Sequence, residues 1–302
     1  MRKSKSGERE PRRWRRWQLY AMAVCVVVFV VSGFMALRDV TRARREHQAN
    51  LALAEQVNAI KRAMAEQTPQ KLPGAVEPQK TPGTWEPSES PGVWESQEPP
   101  ELPAFHYDEN GILLQYSALY QRNADLAGWL SIDGTGIDYP VMYAPDRKEY
   151  YLHRSFDGQY AASGCLFIDE DCDPESNHQL IYGHHMNNGS MFGKLPDYAD
   201  PAFAAQHPVI AFDTMREEGR YELLGAFYAT VYSPSEAGGF RYYQYEDLSD
   251  RARFDEYVAQ VKAAALYDTG VEAEYGDSLL TLSTCSYHTA NGRFVVVARK
   301  TG

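Results

Sequence analysis

The chain has 302 residues, 44% hydrophobic and 24% charged, with a formal net charge of −11, which suits one good-sized domain with appendages. So acidic a chain is not organised around nucleic acid, whose phosphates demand an excess of Lys and Arg. The charge is also segregated: residues 1–46 hold 12 Lys or Arg against 4 Asp or Glu, and the remainder holds 18 basic against 37 acidic residues.

Residues 1–18 read as a basic, cytoplasmic segment. Eight basic residues, among them Arg12, Arg13, Arg15 and Arg16, precede the 19 uncharged residues of 19–37. At about 1.5 Å per residue such a run nearly crosses a hydrocarbon core of roughly 30 Å. Trp14, Trp17 and Tyr20 stand where an interfacial aromatic belt belongs, and only Arg38, Arg42, Arg44 and Arg45 follow soon after. The pattern predicts an uncleaved single-pass signal anchor over 19–37, with a cytoplasmic N-terminus and an extracellular remainder.

Residues 38–67 predict a juxtamembrane helix, with Leu53, Val57, Ile60 and Met64 at helical spacings. That stripe fits a packed helix or a weak coiled coil equally well. From 68 to 104 the composition turns to Pro, Gly, Glu, Ser and Thr, with an approximate repeat around Trp85 and Trp94. So few aliphatic residues bury no core, so this is expected to be a Pro/Glu-rich linker, a spacer lifting the domain off the membrane.

Residues 105–302 carry the patterns of a compact domain. A short helix is expected over 116–127, strands over 129–132 and 137–142, and a turn at Asp133-Gly134-Thr135. Cys165 and Cys172 either pair or are held apart by an extended spacer, and both readings stay open. Asp169, Asp171, Asp173 and Glu175 alternate, but without the central Gly and distal Glu of a calcium loop they read as a solvated turn. A short apolar run, 179–182, ends in Gly183 with His184 and His185 behind it. Strands follow at 209–212 and 221–231, then a helix over 249–267 with Phe254, Val258, Val261 and Ala265 on one face and Ser249 as N-cap. Strands at 279–284 and 294–298 flank Cys285 and Arg293.

The chemistry gathers at those last residues. A thiol attacks only as thiolate, a nearby guanidinium favours that form or holds a carbonyl oxygen, and an imidazole supplies a proton donor. Cys, His and Arg at strand ends are therefore candidates for covalent acyl transfer. No metal is expected: adjacent histidines of a strand point to opposite sides, and His153, His178, His207 and His288 are scattered.

The words TLSTC, an Arg eight residues beyond the Cys, and YGHHM about a hundred residues before it resemble the sortase transpeptidases, specifically class B. GWLSIDGTGIDYPVM, Tyr150-Tyr151-Leu152 and Gly164-Cys165-Leu166-Phe167-Ile168-Asp169 extend the resemblance over roughly residues 108–300. It implies a mostly β fold, a closed sortase-type β-barrel with peripheral helices, including a long helix before the nucleophile strand. It implies Cys285 as nucleophile, His184 as general acid and Arg293 as the group holding substrate and oxyanion, with no cofactor. The substrates implied are secreted proteins with an NPxT-like or LPxT-like sorting signal, and the acceptor an amine of a peptidoglycan precursor or a pilin lysine. Tyr287 stands where class B members often have an acidic residue, so the group that orients His184 is unassigned. A hydrolytic cysteine peptidase and a non-catalytic membrane-anchored interaction protein are the alternatives, although a papain-like enzyme places its His after its Cys.

Overall fold

The computed structural model describes residues 12–67, 107–233, 235–236, 238–286 and 289–301. It divides into two compact units, Met1–Ala49 and Asn50–Gly302, and one helix, α1 (Arg12–Gln67), contributes to both. In the first unit α1 exposes Val24, Val26 to Val28 and Phe29 to Val31. An 18-residue window there has a mean hydropathy of 2.4, long and apolar enough to cross a membrane.

In the second unit the end of α1 is a packed helix. Asn50, Leu53, Ala54 and Val57 are buried, spaced to lie along one face. Lys61 Nζ reaches the buried Asp213 carboxylate at 2.9 Å, and Asn58 Nδ2 donates to Asp138 at 3.0 Å. The 68–104 stretch, with Trp85 and Trp94, lies outside the described residues. Gln67 and Tyr107 on either side of it both belong to the second unit. The end of α1 buries Leu53, Ala54 and Val57 in one cluster with Trp129 and Met142 of the barrel.

α2 (Leu114–Arg122) follows, and then the first strands, β1 (Leu126–Ile132) and β2 (Ile137–Met142). The helix expected over 116–127 stops at Arg122, and Leu126, Ala127 and Gly128 join β1. The reason is tertiary: Leu126 pairs with Met142 and Gly128 with Val141 across a bulge, which commits them to the sheet. The remaining strands are β3 (Leu166–Ile168), β4 (His178–Tyr182), β5 (Val209–Thr214), β6 (Arg220–Thr230), β7 (Leu279–Cys285) and β8 (Gly292–Thr301). They close into a barrel in the order β1-β2-β3-β4-β7-β8-β6-β5. The fold class is the expected one, mostly β with helices on the periphery.

Pairing is antiparallel except at two seams, β2 with β3 and β4 with β7. The long crossover between β4 and β7 contains α3 (Pro201–Gln206), β5, β6 and α4 (Arg251–Ala264). Leu180, Leu280, Leu282 and Phe294 to Val297 are fully buried in the main core. α4 is the expected helix before the nucleophile strand, but Asp250, not Ser249, caps it, accepting from Arg253 N–H at 3.0 Å. Its buried Phe254, Tyr257, Val258 and Val261 pack on the barrel where β6 has Gly225. A Cβ at Gly225 would come within 3.2 Å of Val261 and 3.3 Å of Ala265, so glycine sets how closely α4 approaches.

Cys165 and Cys172 are free thiols. They flank β3 and lie in separate core clusters, held apart by the extended segment, and burial pushes each thiol up to about 12.

Candidate active site

The barrel register brings the candidate residues to one rim. β4 and β7 run parallel with Tyr182 opposite Ser283, so Gly183 and His184 leave the barrel beside Cys285. β8 runs antiparallel to β7 with Arg293 opposite Cys285. Residues paired in this way sit about 4.5–5.5 Å apart at Cα. Cys285, His184 and Arg293, each half-buried, line one open cleft of about 480 Å³ whose walls include Leu152, Tyr182 and Tyr242. A larger hollow of about 650 Å³ occupies the opposite ends of the same strands, at Gln179, Leu279 and Lys300, and no Cys or His lines it.

Three hydrogen bonds stitch the His-bearing turn to the end of β7. Gly183 N–H donates to the Ser283 carbonyl at 3.2 Å. The Thr284 hydroxyl donates to the Gly183 carbonyl at 2.8 Å. His185 Nδ1–H donates to the Cys285 carbonyl at 3.0 Å. Position 183 must be glycine for this contact, since a Cβ there would come within 2.4 Å of Leu166 and 2.6 Å of Phe192.

His184 Nε2–H donates to the Leu152 carbonyl at 2.8 Å, and the ring stacks on His153 at 5.3 Å between centroids. The neutral ring therefore carries its hydrogen on Nε2 and its lone pair on Nδ1. Burial pulls the imidazole below its ordinary pKa, the Leu152 carbonyl opposes this, and the charge of His153 adds to it. Arg293 Nη1 donates to the Gly292 carbonyl at 3.0 Å, which anchors one arm of a planar fork that has further N–H groups. Beneath them Ser283 Oγ and Tyr242 Oη are 2.7 Å apart, and burial pushes the Tyr242 phenol up to about 12.

The orienting partner of His184, unassigned from sequence, is thus a backbone carbonyl, a group that leaves no mark on residue type. His185 was weighed in the sequence only against a shared ion, and the two histidines do take different partners. Tyr287 and His288 lie outside the described residues. Asp171 N–H donates to Asp169 and Glu175 N–H to Asp173, at 3.0 and 2.9 Å, as in local polar turns. Among the described residues no group of three or more His, Cys, Asp or Glu side chains is arranged to hold a metal ion.

The profile described as Sortase domain matches residues 130–301, more than half of the chain. The chain belongs to the sortase family. Within the family its relatives are of class B. Sortase B of Listeria monocytogenes is 31% identical over 182 residues, covering 59% of this chain and 70% of that one. Sortase B of Staphylococcus aureus is 28% identical over 189 residues, covering 61% and 74%. Among solved structures, sortase B from Bacillus anthracis in complex with AAEK1 superposes with a TM-score of 0.54 at 31% identity, covering 63% of this chain and 85% of that one. The Staphylococcus aureus sortase B–substrate complex gives 0.55 at 26% identity, covering 62% and 84%. This class B sortase is accordingly a cysteine transpeptidase.

Proposed function

We propose that this sortase cleaves a C-terminal sorting signal of NPxT-like or LPxT-like type in secreted proteins and joins the acyl fragment to an amine of the cell wall or of a pilin. One observation carries the reading: Cys285 and Arg293 are cross-strand partners in the cleft that His184 enters. The Cys285 thiolate attacks the carbonyl carbon of the signal's threonine, and the developing oxyanion is met by the Arg293 fork, whose charge involves no proton transfer. As the C–N bond breaks, His184 gives the proton on Nδ1 to the departing amine, while Nε2 stays tied to Leu152. The acceptor amine then loses its proton to His184 and attacks the thioester, and Cys285 leaves as thiolate. Glu149, Asp169 and Asp171 line the same cleft, where Glu170 is paired with Lys148, and the remaining carboxylates favour an approaching ammonium. The basic residues before the apolar part of α1 support an anchor with its N-terminus in the cytoplasm and the barrel outside the cell.

The test is turnover of signal peptides by the full chain and its Cys285→Ala variant, with products weighed by mass spectrometry in the presence of candidate amines. The expected result is loss of all cleavage in the variant and ligated product with the unaltered chain. Cleavage retained without Cys285 would remove the mechanism, and hydrolysis alone with every amine would make the protein a peptidase.

A further inference from the structure

β7 continues to Cys285, whereas β4 ends as a strand at Tyr182. In a parallel ladder alternate N–H groups of one strand meet alternate carbonyls of its neighbour. The bond from Gly183 N–H to Ser283 is the last backbone rung; continuing the ladder would join Cys285 N–H to the Gly183 carbonyl, which accepts from the Thr284 hydroxyl, and then residue 185 N–H to the Cys285 carbonyl. By then the chain has turned, and the backbone at 185 is bridged to Met191. The Cys285 carbonyl faces the same side as that of Ser283, two residues before it, and it is met by the His185 ring at 3.0 Å.

We infer that His185 is a positioning residue for the nucleophile, its imidazole supplying the rung that the β4 backbone no longer can. This rests on the acyl-transfer reading and adds to it. Adjacent residues then serve one geometry: His184 faces the cleft, and His185 holds the backbone that carries the sulfur. Any displacement of this turn moves acid and nucleophile together, which preserves their alignment. Because the acceptor is a carbonyl, Nδ1 carries the hydrogen of this bond. Without it the Cys285 carbonyl loses this donor and Cys285 can drift, and small misplacements of a reacting atom cost rate more than binding.

The experiment compares His185→Ala, His185→Asn and the unaltered full-length chain on a quenched NPxT-type peptide, together with Tm and the mass of the Cys285 acyl-enzyme. His185→Ala is expected to lower kcat about tenfold with KM changed less than about twofold. His185→Asn is expected to recover most of the loss, since its amide N–H occupies nearly the place of Nδ1–H. Wild-type kcat in His185→Ala, or no recovery in His185→Asn, would overturn the assignment while leaving the acyl-enzyme in place. If the Ala variant does not fold, His185→Leu stands in for it, and Leu and Asn variants of equal kcat would overturn the assignment. No acyl-enzyme in the unaltered chain would overturn the acyl-transfer reading, and this assignment with it.

Discussion

Arg293 reaches the cleft through strand register, and lysine at that position keeps the charge but loses the fork. Arg293→Lys is therefore expected to lower kcat/KM by about a hundredfold or more, because a single ammonium does not present parallel N–H groups to an oxyanion. Steady-state kinetics on a signal peptide checks it, and wild-type kcat/KM would show that only charge is needed. His153 stacks on His184 and helps to hold it below its ordinary pKa. Removing that charge lets His184 rise, so in His153→Asn the limb of the kcat/KM profile that His184 sets is expected to move to higher pH. Elsewhere, His178 is wholly buried: Nδ1–H donates to the Tyr245 carbonyl at 2.6 Å and Nε2 accepts from Thr281 at 2.8 Å, with burial lowering its pKa to about 4. The folded state then binds fewer protons at this site than the unfolded chain between about pH 4 and 6.5. Stability present above pH 6.5 is lost as pH falls through that window, up to about 3 kcal/mol. Urea titrations should show this slope flattened in His178→Gln.

Among the elements, the end of α1 belongs to the folded barrel unit. Leu53, Ala54 and Val57 complete the cluster that contains Tyr116 and Trp129, and Lys61 shares the Asp213 carboxylate with the Tyr116 hydroxyl, at 2.9 and 2.5 Å. Val57→Asp replaces a buried methyl pair with a carboxylate and is expected to cost about 3 kcal/mol or more, read as a lowered denaturant midpoint. An unchanged midpoint would mean that α1 does not pack there in solution. The stripe of Leu53, Val57, Ile60 and Met64 was legible as helical periodicity. Its partner was not, since the same spacing serves a coiled coil or a globular surface. The end of α2 differs from the expected one for a related reason: Leu126 and Ala127 favour helix on their own, and the ladder with β2 overrides that preference. At α4 the apolar face was legible, whereas the choice of Asp250 over Ser249 as cap depended on which side chain reaches the first turn.

At the scale of the molecule, charge segregation and one apolar run single out the N-terminal helix, and the residue words around Cys285 single out the family. Composition, the uncharged 19–37 stretch, the strand alternation and the Cys, His and Arg spacing are local properties, each readable from neighbours in the chain. Sequence alone therefore determined the anchor candidate, the mostly β class and the three side chains to examine. Only the tertiary structure decided the parallel seam between β4 and β7, the seating of α1 on the barrel, the separation of Cys165 from Cys172, and the carbonyls that receive His184 and His185. The physical reason is that these depend on which apolar faces bury one another and on backbone groups common to every residue. Such pairings join positions 32 to 152 residues apart, where no local pattern can choose among the available partners.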